Sequence, residues 1–334
     1  MQFGQLKRRE FITLLGGTAA AWPLAAGAQQ AERMRRIGVL MNAAADDPEG
    51  QARIAAFHQG LQELGWTLGR NARIDARWGA VDADSSRRYA AELVGFAPDV
   101  ILAAASPAVA ALQQTTRTIP IVFTTVADPV GAGFVETLAH PGGNITGFSL
   151  FEYTLSGKWL ELLKEIAPSV TRAAVLRDPT VGSGVGQYAI IQAVAPSLRV
   201  ELRSIDVRDP GEIERAIVTF AQSPNGGLII AGSPEAVVHR NLIISLAAHH
   251  QLPAVYCLPY FARSGGLIAY GPDTVSPYRR AAQYVDRILK GQKPADLPVQ
   301  APTQYELVIN LKTAKTFGIT LPDTVLARAS EVIE

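Results

Sequence analysis

The chain has 334 residues, of which 48% are hydrophobic and 18% are charged, and its formal net charge is +1. This composition excludes an intrinsically disordered protein, and the length suffices for one large domain or two domains of medium size. The near-neutral balance lacks the basic surplus of a nucleic-acid-binding surface, so no nucleic acid is expected as a partner.

The first 28 residues predict an export signal that is cleaved after Ala28. A basic start at residues 7–9 precedes a mostly apolar run over 11–26, and Ala26-Gly27-Ala28 supplies the small residues that signal peptidase requires. The string Lys7-Arg8-Arg9-Glu10-Phe11-Ile12 also resembles a twin-arginine signal. A membrane anchor is the alternative, but glycines and a proline interrupt a run already shorter than the ~20 residues that span a bilayer. We therefore expect a mature protein in the periplasm.

Strand and helix patterns alternate along the first half of the mature sequence. Apolar runs predict strands at 37–41, 72–78, 100–104 and 119–125, and helical spacing predicts helices at 53–64, 85–96 and from Ser106 onward. Ser106 and Pro107 start the third helix, because serine is a preferred cap and proline a preferred first residue. Near-continuous apolar strands separated by helices predict an α/β fold with a parallel sheet covered on both faces.

The same alternation restarts after a break at 147–156. Helices are predicted at 156–166, 188–195, 212–222 and 241–250, and strands at 173–176, 201–205, 227–231 and 254–257. A strand at 267–270, a helix at 277–289, a proline-rich connector and a strand at 305–309 follow. Two successive α/β units with an appended tail suggest that the chain crosses between two lobes more than once.

Ligands of open parallel α/β sheets bind beyond the carboxyl ends of the strands. The candidate positions at those ends are Asn42, Ser106, 125–128, 177–186, 232–234, 256–260 and 270–273. Ser106 stands where a helix amino terminus offers N–H groups to an anion, although an ordinary helix cap is the alternative. Asp128 follows a strand and precedes Pro129, and its carboxylate could cap a helix, shape a turn or face a ligand. Tyr256 and Tyr270 could cover a planar ligand or pack in the core.

No pattern of catalytic, cofactor or metal-binding residues emerges. Gly182-Ser183-Gly184-Val185-Gly186 lacks the G-x-G-x-x-G spacing of a dinucleotide site, and a flexible loop is the favoured interpretation. No P-loop or G-x-S-x-G elbow occurs in the sequence. His249 and His250 are adjacent on a predicted helix and point about 100° apart, so they do not share one metal easily. An enzyme is therefore the weakest of the function classes considered.

Several motifs resemble those of ABC-transporter substrate-binding proteins related to the tryptophan-binding type. They include Asp128-Pro129-Val130, His140-Pro141-Gly142-Gly143-Asn144-Ile145-Thr146-Gly147 and Glu306-Leu307-Val308-Ile309-Asn310. The resemblance covers essentially the whole mature chain. It implies a two-lobed type I periplasmic binding protein with a three-stranded hinge. The first lobe would comprise 33–149 plus 267–300, and the second 150–266 plus 301–334.

The resemblance also implies a ligand site in the cleft between the lobes. Its predicted residues are Asn42, Ser106, Pro107, Thr125, Asp128, Ser183, Ser233, Tyr256, Tyr270 and Asp273. Ser106 would hold an anionic group, and Asp128 would accept hydrogen bonds from an amine or hydroxyl. The implied function is capture of a small solute, with amino-acid-like or aromatic compounds as candidates, and its delivery to an ABC permease in the inner membrane. The alternative is an exported sensor that presents its closed state to a membrane receptor.

Overall fold

The computed structural model describes residues 34–79 and 83–334, so the predicted export signal lies outside the described residues. The strands, in chain order, are β1 (Arg35–Leu40), β2 (Ala72–Arg77), β3 (Val100–Ala104), β4 (Ile121–Val126), β5 (Ile145–Ser149), β6 (Arg172–Arg177), β7 (Glu201–Asp206), β8 (Gly226–Ile230), β9 (Ala254–Tyr256), β10 (Ile268–Pro272), β11 (Tyr305–Asn310) and β12 (Glu331–Ile333). They form a five-stranded sheet of order β2-β1-β3-β4-β5 and a seven-stranded sheet of order β12-β11-β10-β9-β8-β6-β7. The pairs are parallel except β10 with β11.

Helices lie between successive strands of the described chain, except between β4 and β5. They are α1 (Pro48–Glu63), α2 (Ala83–Gly95), α3 (Ala105–Thr115), α4 (Leu155–Ile166), α5 (Gly182–Leu198), α6 (Pro210–Ala221), α7 (Pro234–Val238), α8 (Arg240–His249), α9 (Pro259–Arg263), α10 (Ser276–Leu289), α11 (Leu311–Thr316) and α12 (Asp323–Leu326), with a 3₁₀ turn at Pro294–Asp296. Within the described ranges, none of these helices is long and apolar enough to cross a membrane.

The five-stranded sheet forms the first lobe and is covered on both faces, as the sequence predicts. Successive residues of β1 illustrate this, because Val39 packs in the cluster of Phe57 and Val285, whereas Leu40 packs in the separate cluster of Leu93. Side chains of a strand alternate between its two faces, so a strand buried on both sides is apolar throughout. Helices α1 and α10 cover one face and α2 and α3 the other.

The close contact between α1 and α10 depends on a glycine. A Cβ added at Gly60 would lie 2.7 Å from the backbone oxygen of Arg279. No side chain fits at that distance, so Gly60 brings α10 onto the first lobe although α10 is more than 200 residues further along the chain.

The seven-stranded sheet forms the second lobe around one continuous core. Trp159 on α4 is fully buried in that core, and its Nε1 donates a hydrogen bond of 2.7 Å to the backbone oxygen of Tyr270. Phe151 packs edge-on against the Trp159 ring at 6.1 Å between centroids. Trp159 therefore connects the second-lobe core to β10 and to the segment between β5 and α4 that carries Phe151.

The boundary between the lobes differs from the prediction at one strand. Residues 267–300 were assigned to the first lobe, but β10 pairs with β9 and β11 and so belongs to the second sheet. Helix α10 and residues up to Gln300 do lie on the first lobe, where the Ser149 N–H donates to the Gln300 oxygen at 2.9 Å. The chain therefore crosses between lobes after Ser149, after Pro272 and after Gln300. β10 is assigned to the second lobe by its hydrogen bonds to β9 and β11, the strands that precede and follow it in the chain.

Two helices begin earlier than predicted. Asp47 caps α1 by accepting hydrogen bonds from the N–H groups of Glu49 and Gly50 at 3.0 and 3.1 Å, so this helix begins at Pro48 and not at the predicted residue 53. Helix α5 begins at Gly182, where a flexible loop was expected. A Cβ at Gly184 would lie 1.9 Å from the Asp178 backbone oxygen, so this glycine serves close packing at a helix start.

His58 on α1 predicts a pH dependence of stability. Burial lowers the pKa of His58, and its Nε2 is buried without a hydrogen-bond partner. Between the lowered pKa and the ordinary value near 6.5, the unfolded chain binds a proton that the folded protein does not, so stability falls as the pH decreases. One such group contributes at most about 1.4 kcal/mol per pH unit to the slope.

We expect the His58→Gln variant to lose less stability between pH 7 and pH 5 than the unmodified protein does, measured by urea unfolding. The control is His140→Gln, since His140 is exposed. Equal slopes for all three proteins would contradict the assignment to His58.

Candidate functional site

A cavity lies between the two lobes at the carboxyl ends of their strands. Its lining residues come from both lobes and from the crossing segments: Asn42, Arg53, Ala105, Ser106, Thr125, Ala127, Leu150, Phe151, Ser183, Gly232, Ser233, Pro234, Val237, Leu258, Tyr260 and Thr274. The volume available to the centres of water molecules is about 50 Å³. One water needs about 10–15 Å³ by this measure, so the cavity holds a few waters and the lobes lie close together.

The first-lobe wall is built on strained backbone. Thr125 and Ala105 have φ angles of 57° and 68°, in the left-handed region that non-glycine residues rarely adopt. The Ala105 N–H donates a 3.1 Å hydrogen bond to Thr125 Oγ1, which links the two strained residues. The pairing of β4 with β5 shifts register between Phe123 and Val126, next to the strained threonine. Such strain persists where the surrounding structure imposes it, and it concentrates at functional sites.

Ser106 lines the cavity but does not cap its helix. Helix α3 begins at Ala105 after Ala104, and no side chain makes a capping hydrogen bond there. The prediction of a serine cap is therefore wrong, because the turn at Ala105 moves Ser106 into the first helical turn. Pro107 lies beside Ser106 in an adjoining cavity of about 350 Å³.

The second-lobe wall presents two buried serines at helix starts. Ser183 lies in the first turn of α5, and Ser233 caps the short helix α7 through a 3.1 Å bond from the Ala236 N–H to its Oγ. Between them, Gln187 Oε1 accepts the Gly232 N–H at 2.9 Å, while Gln187 Nε2 is buried without a partner. This wall therefore offers hydroxyl groups to the cavity on a rigid frame.

Arg53 is a cavity residue that sequence reasoning missed. It is 5% exposed, and its Nη2 donates a 3.3 Å hydrogen bond to Glu49 Oε1 while its Nε has no partner. The guanidinium lies over the Tyr260 ring of the second lobe at 5.5 Å. One signal was available, since Arg53, Phe57 and Leu61 share a helix face at spacings of four, and an arginine on an apolar face is unusual.

Asp128 shapes a turn, which is one of its three predicted roles, and it lies beside a cavity. Its Oδ1 accepts the Gly131 N–H at 2.8 Å, which closes the turn, and its Oδ2 accepts the Tyr153 hydroxyl at 2.8 Å. Burial, together with Asp128, raises the pKa of Tyr153. Asp128 also lines the adjoining cavity with Ser106 and Pro107. The helix-cap alternative is excluded, because 129–135 form turns.

Three predicted site residues lie away from the cavity. Tyr256 is 1% exposed and stacks on Phe261 in the second-lobe core. Tyr270 lines a different groove, beside Tyr305 and Arg328. Asp273 accepts hydrogen bonds from the N–H groups of Val275 and Ser276 and so shapes the crossing into α10. Residues at a strand end alternate between opposite faces, and position along the strand does not say which face meets the cleft.

An ion pair joins the lobes at the rim of the cleft. Arg240 Nη2 on α8 lies 2.5 Å from Asp47 Oδ2, and the two side chains are 24% and 11% exposed. Burial alone would raise the pKa of Asp47, but the Gly50 N–H and the Arg240 guanidinium lower it overall. This pair exists only when the lobes approach, so it favours the closed arrangement.

Comparison with known proteins places this geometry in context. Residues 39–333 match the family described as ABC transporter substrate binding protein. A tyrosine-binding protein of Clostridioides difficile is 26% identical over 269 residues, which cover 79% of this chain and 75% of that protein.

Two solved structures superpose over 90% of this chain and all of the other chain. A conserved domain protein from Vibrio cholerae has a TM-score of 0.83 at 28% identity. An ABC domain in complex with L-Trp from Streptococcus pneumonia has a TM-score of 0.82 at 25% identity. The two-lobed fold predicted from the sequence is confirmed.

Proposed function

The chain belongs to the family of ABC transporter substrate-binding proteins, and from this premise we propose that it is the exported solute-binding component of an ABC importer. The observation that carries the proposal is the cavity at the facing strand ends of both lobes, lined by polar residues of each. A solute that contacts both walls stabilises the closed arrangement, which a permease in the inner membrane would then recognise. The export pattern of residues 1–28 supports a periplasmic location.

Closure would proceed by rotation about the three crossing segments. These follow Ser149, Pro272 and Gln300, and each is short. Since the cavity holds only a few waters, the solute must enter while the lobes are apart and be enclosed as they close. Hinge closure of this kind absorbs large backbone changes at a few residues between rigid lobes.

The solute would contact hydroxyl-bearing residues of both lobes. Ser106 and Thr125 would bind from the first lobe and Ser183 and Ser233 from the second, with Asn42 at one side. Pro107 and Asp128 would contact the part of the solute that reaches the adjoining cavity. The named tyrosine-binding relative and the L-Trp complex make amino acids, aromatic ones above all, the first compounds to test.

Isothermal titration of the mature protein against the twenty amino acids and a panel of sugars, polyols and organic acids tests the proposal. Small-angle scattering of the free and solute-bound protein measures closure. We expect a compound to bind at one site per chain and to lower the radius of gyration. An absence of binding by any compound, together with no solute extracted from the purified protein, would contradict the proposal.

The Asp47–Arg240 ion pair is expected to strengthen solute binding, because it stabilises the closed arrangement of the lobes. Arg240→Gln removes an attraction that only the closed protein has, so we expect solute affinity to fall about two- to fivefold, as for a partly exposed ion pair. Arginine is the better partner to replace, because Asp47 also caps α1. The dependence of affinity on salt should weaken as well.

The matched control is Lys158→Gln, since Lys158 pairs with Glu161 inside one helix of the second lobe. Unchanged affinity and an unchanged salt dependence in Arg240→Gln would show that the pair plays no part in closure.

A further inference from the structure

Arg53 has hydrogen-bonding capacity that the protein leaves unused. A guanidinium carries five N–H donors; in this buried one Nη2 donates to Glu49, the Tyr260 side chain is a further partner, and Nε has no partner. Glu49 Oε1 is shared, because it also accepts the Thr274 hydroxyl. A buried donor without a partner costs free energy, so a side chain in this state beside a cavity indicates a ligand acceptor.

Asn42 lies on the same side of the cavity and lacks a hydrogen-bond donor for its side chain, whereas Arg53 lacks an acceptor. Its side-chain oxygen is buried and has no hydrogen-bond partner. Asn42 and Arg53 both line the central cavity. Both also line a further cavity, distinct from the adjoining one, which Asp47 and Tyr260 line as well. The two residues therefore present an unused acceptor, Asn42 Oδ1, and an unused donor, Arg53 Nε, at one end of the site.

The opposite end of the site has a different character. Pro107, Asp128 and Glu235 line the adjoining cavity there, and Glu235 Oε2 is buried without a partner. The described residues that line this adjoining cavity include two carboxyl groups and no basic side chain, so an anionic group of the solute is favoured at the Arg53 end.

We propose that Arg53 and Asn42 bind the head group of the solute, with Arg53 donating to a carboxylate and the Asn42 oxygen accepting from a neighbouring ammonium or hydroxyl group. This inference rests on the proposed function and names its substrate class, an α-amino or α-hydroxy carboxylic acid. The planar guanidinium suits a carboxylate because it donates two parallel hydrogen bonds. The solute's side chain would then extend toward Ser106 and Ser183, and the anionic group would lie at Arg53 and not at Ser106.

The first test changes the ligand and leaves the protein intact. L-tryptophan and L-tyrosine are compared by titration with their primary amides, which lack the carboxylate charge, and with indole-3-propionate, which lacks the amine. We expect the amides to bind at least about thirtyfold more weakly, as when one partner of a buried charged hydrogen bond is removed. Loss of the amine should weaken binding about tenfold.

The second test changes Arg53. In Arg53→Gln the affinity for the acid should fall about thirtyfold or more while that for the amide changes less than threefold, so the ratio of the two approaches one. Arg53→Lys should restore part of the discrimination, because it keeps the charge without the fork. Asn42→Ala should weaken the amino acid but leave indole-3-propionate nearly unchanged. Arg279→Gln is the control, since Arg279 is exposed and pairs with Glu63 outside the cavity.

The outcomes separate this inference from the proposed function. If none of these probes binds, the solute extracted from the purified protein is identified by mass spectrometry, and a compound with an α-amino or α-hydroxy carboxylate supports the inference. Equal binding of acid and amide, an unchanged ratio in folded Arg53→Gln, or an extracted solute without a carboxylate would overturn it while solute binding stands. No solute in either experiment would overturn both.

Discussion

Replacing Ser106 with tryptophan is expected to reduce solute affinity on the order of a hundredfold or more, a loss of about 2.7 kcal/mol. Ser106 lines both the central and the adjoining cavity. The central cavity has room for only a few waters, so an indole at this position occupies the space of the solute and keeps the lobes apart. Since Ser106 does not cap α3, the substitution removes no capping hydrogen bond from the free protein.

Titration and thermal unfolding of the same preparation check this result. The matched control is Ser223→Trp, which adds the same side chain at an exposed bend before β8, at the amino-terminal ends of the second-sheet strands and so away from the cleft. We expect Ser223→Trp to bind as the unmodified protein does. Solute binding by Ser106→Trp within threefold of the unmodified protein would show that the solute lies elsewhere.

Trp159→Ala should lower the free energy of unfolding of the second lobe by about 3–5 kcal/mol, the range for removing a buried tryptophan. Trp159 is fully buried and donates a hydrogen bond to the Tyr270 oxygen, so the change creates a cavity and leaves that acceptor without a donor. The loss reaches the site as well, because Phe151 packs on the Trp159 ring and lines the ligand cavity.

Urea unfolding followed by circular dichroism measures the effect. Trp159→Phe is the graded companion, since it retains an aromatic ring in the core but loses the N–H donor and part of the indole volume; we expect about 1–2 kcal/mol for it. Trp66→Phe, which removes an indole donor bonded to Asp286 in the first lobe, should leave the second lobe unaffected. Losses below 1 kcal/mol for Trp159→Ala would contradict this account of the core.

Local sequence patterns selected five of the residues that line the central cavity. Asn42, Ser106, Thr125, Ser183 and Ser233 were selected because each follows a predicted strand, and all five line the central cavity. The selection works because parallel strands of one sheet end at the same edge, and the edges of the two lobes face each other. What these residues bind remains the subject of the proposal.

The same patterns could not choose between the faces of an element. Tyr256 follows the rule as well as Ser233 does, yet its ring is directed into the core beside Phe261. Arg53 lies on a predicted helix, away from any strand end, and reaches the cavity because α1 begins beside the cleft. The direction of each side chain depends on neighbours contributed by other elements.

The α/β class, the division into two units and the family can be predicted from the sequence, because apolar periodicity and contiguous motifs are properties of neighbouring residues. The folded structure was needed to show that β10 joins the second sheet, that Arg53 and Asn42 line one cavity, and that Asp47 meets Arg240 across the cleft. Asp47 and Arg240 are 193 positions apart in the chain. Pairings over such distances depend on how the lobes fold and approach, and no local pattern encodes them.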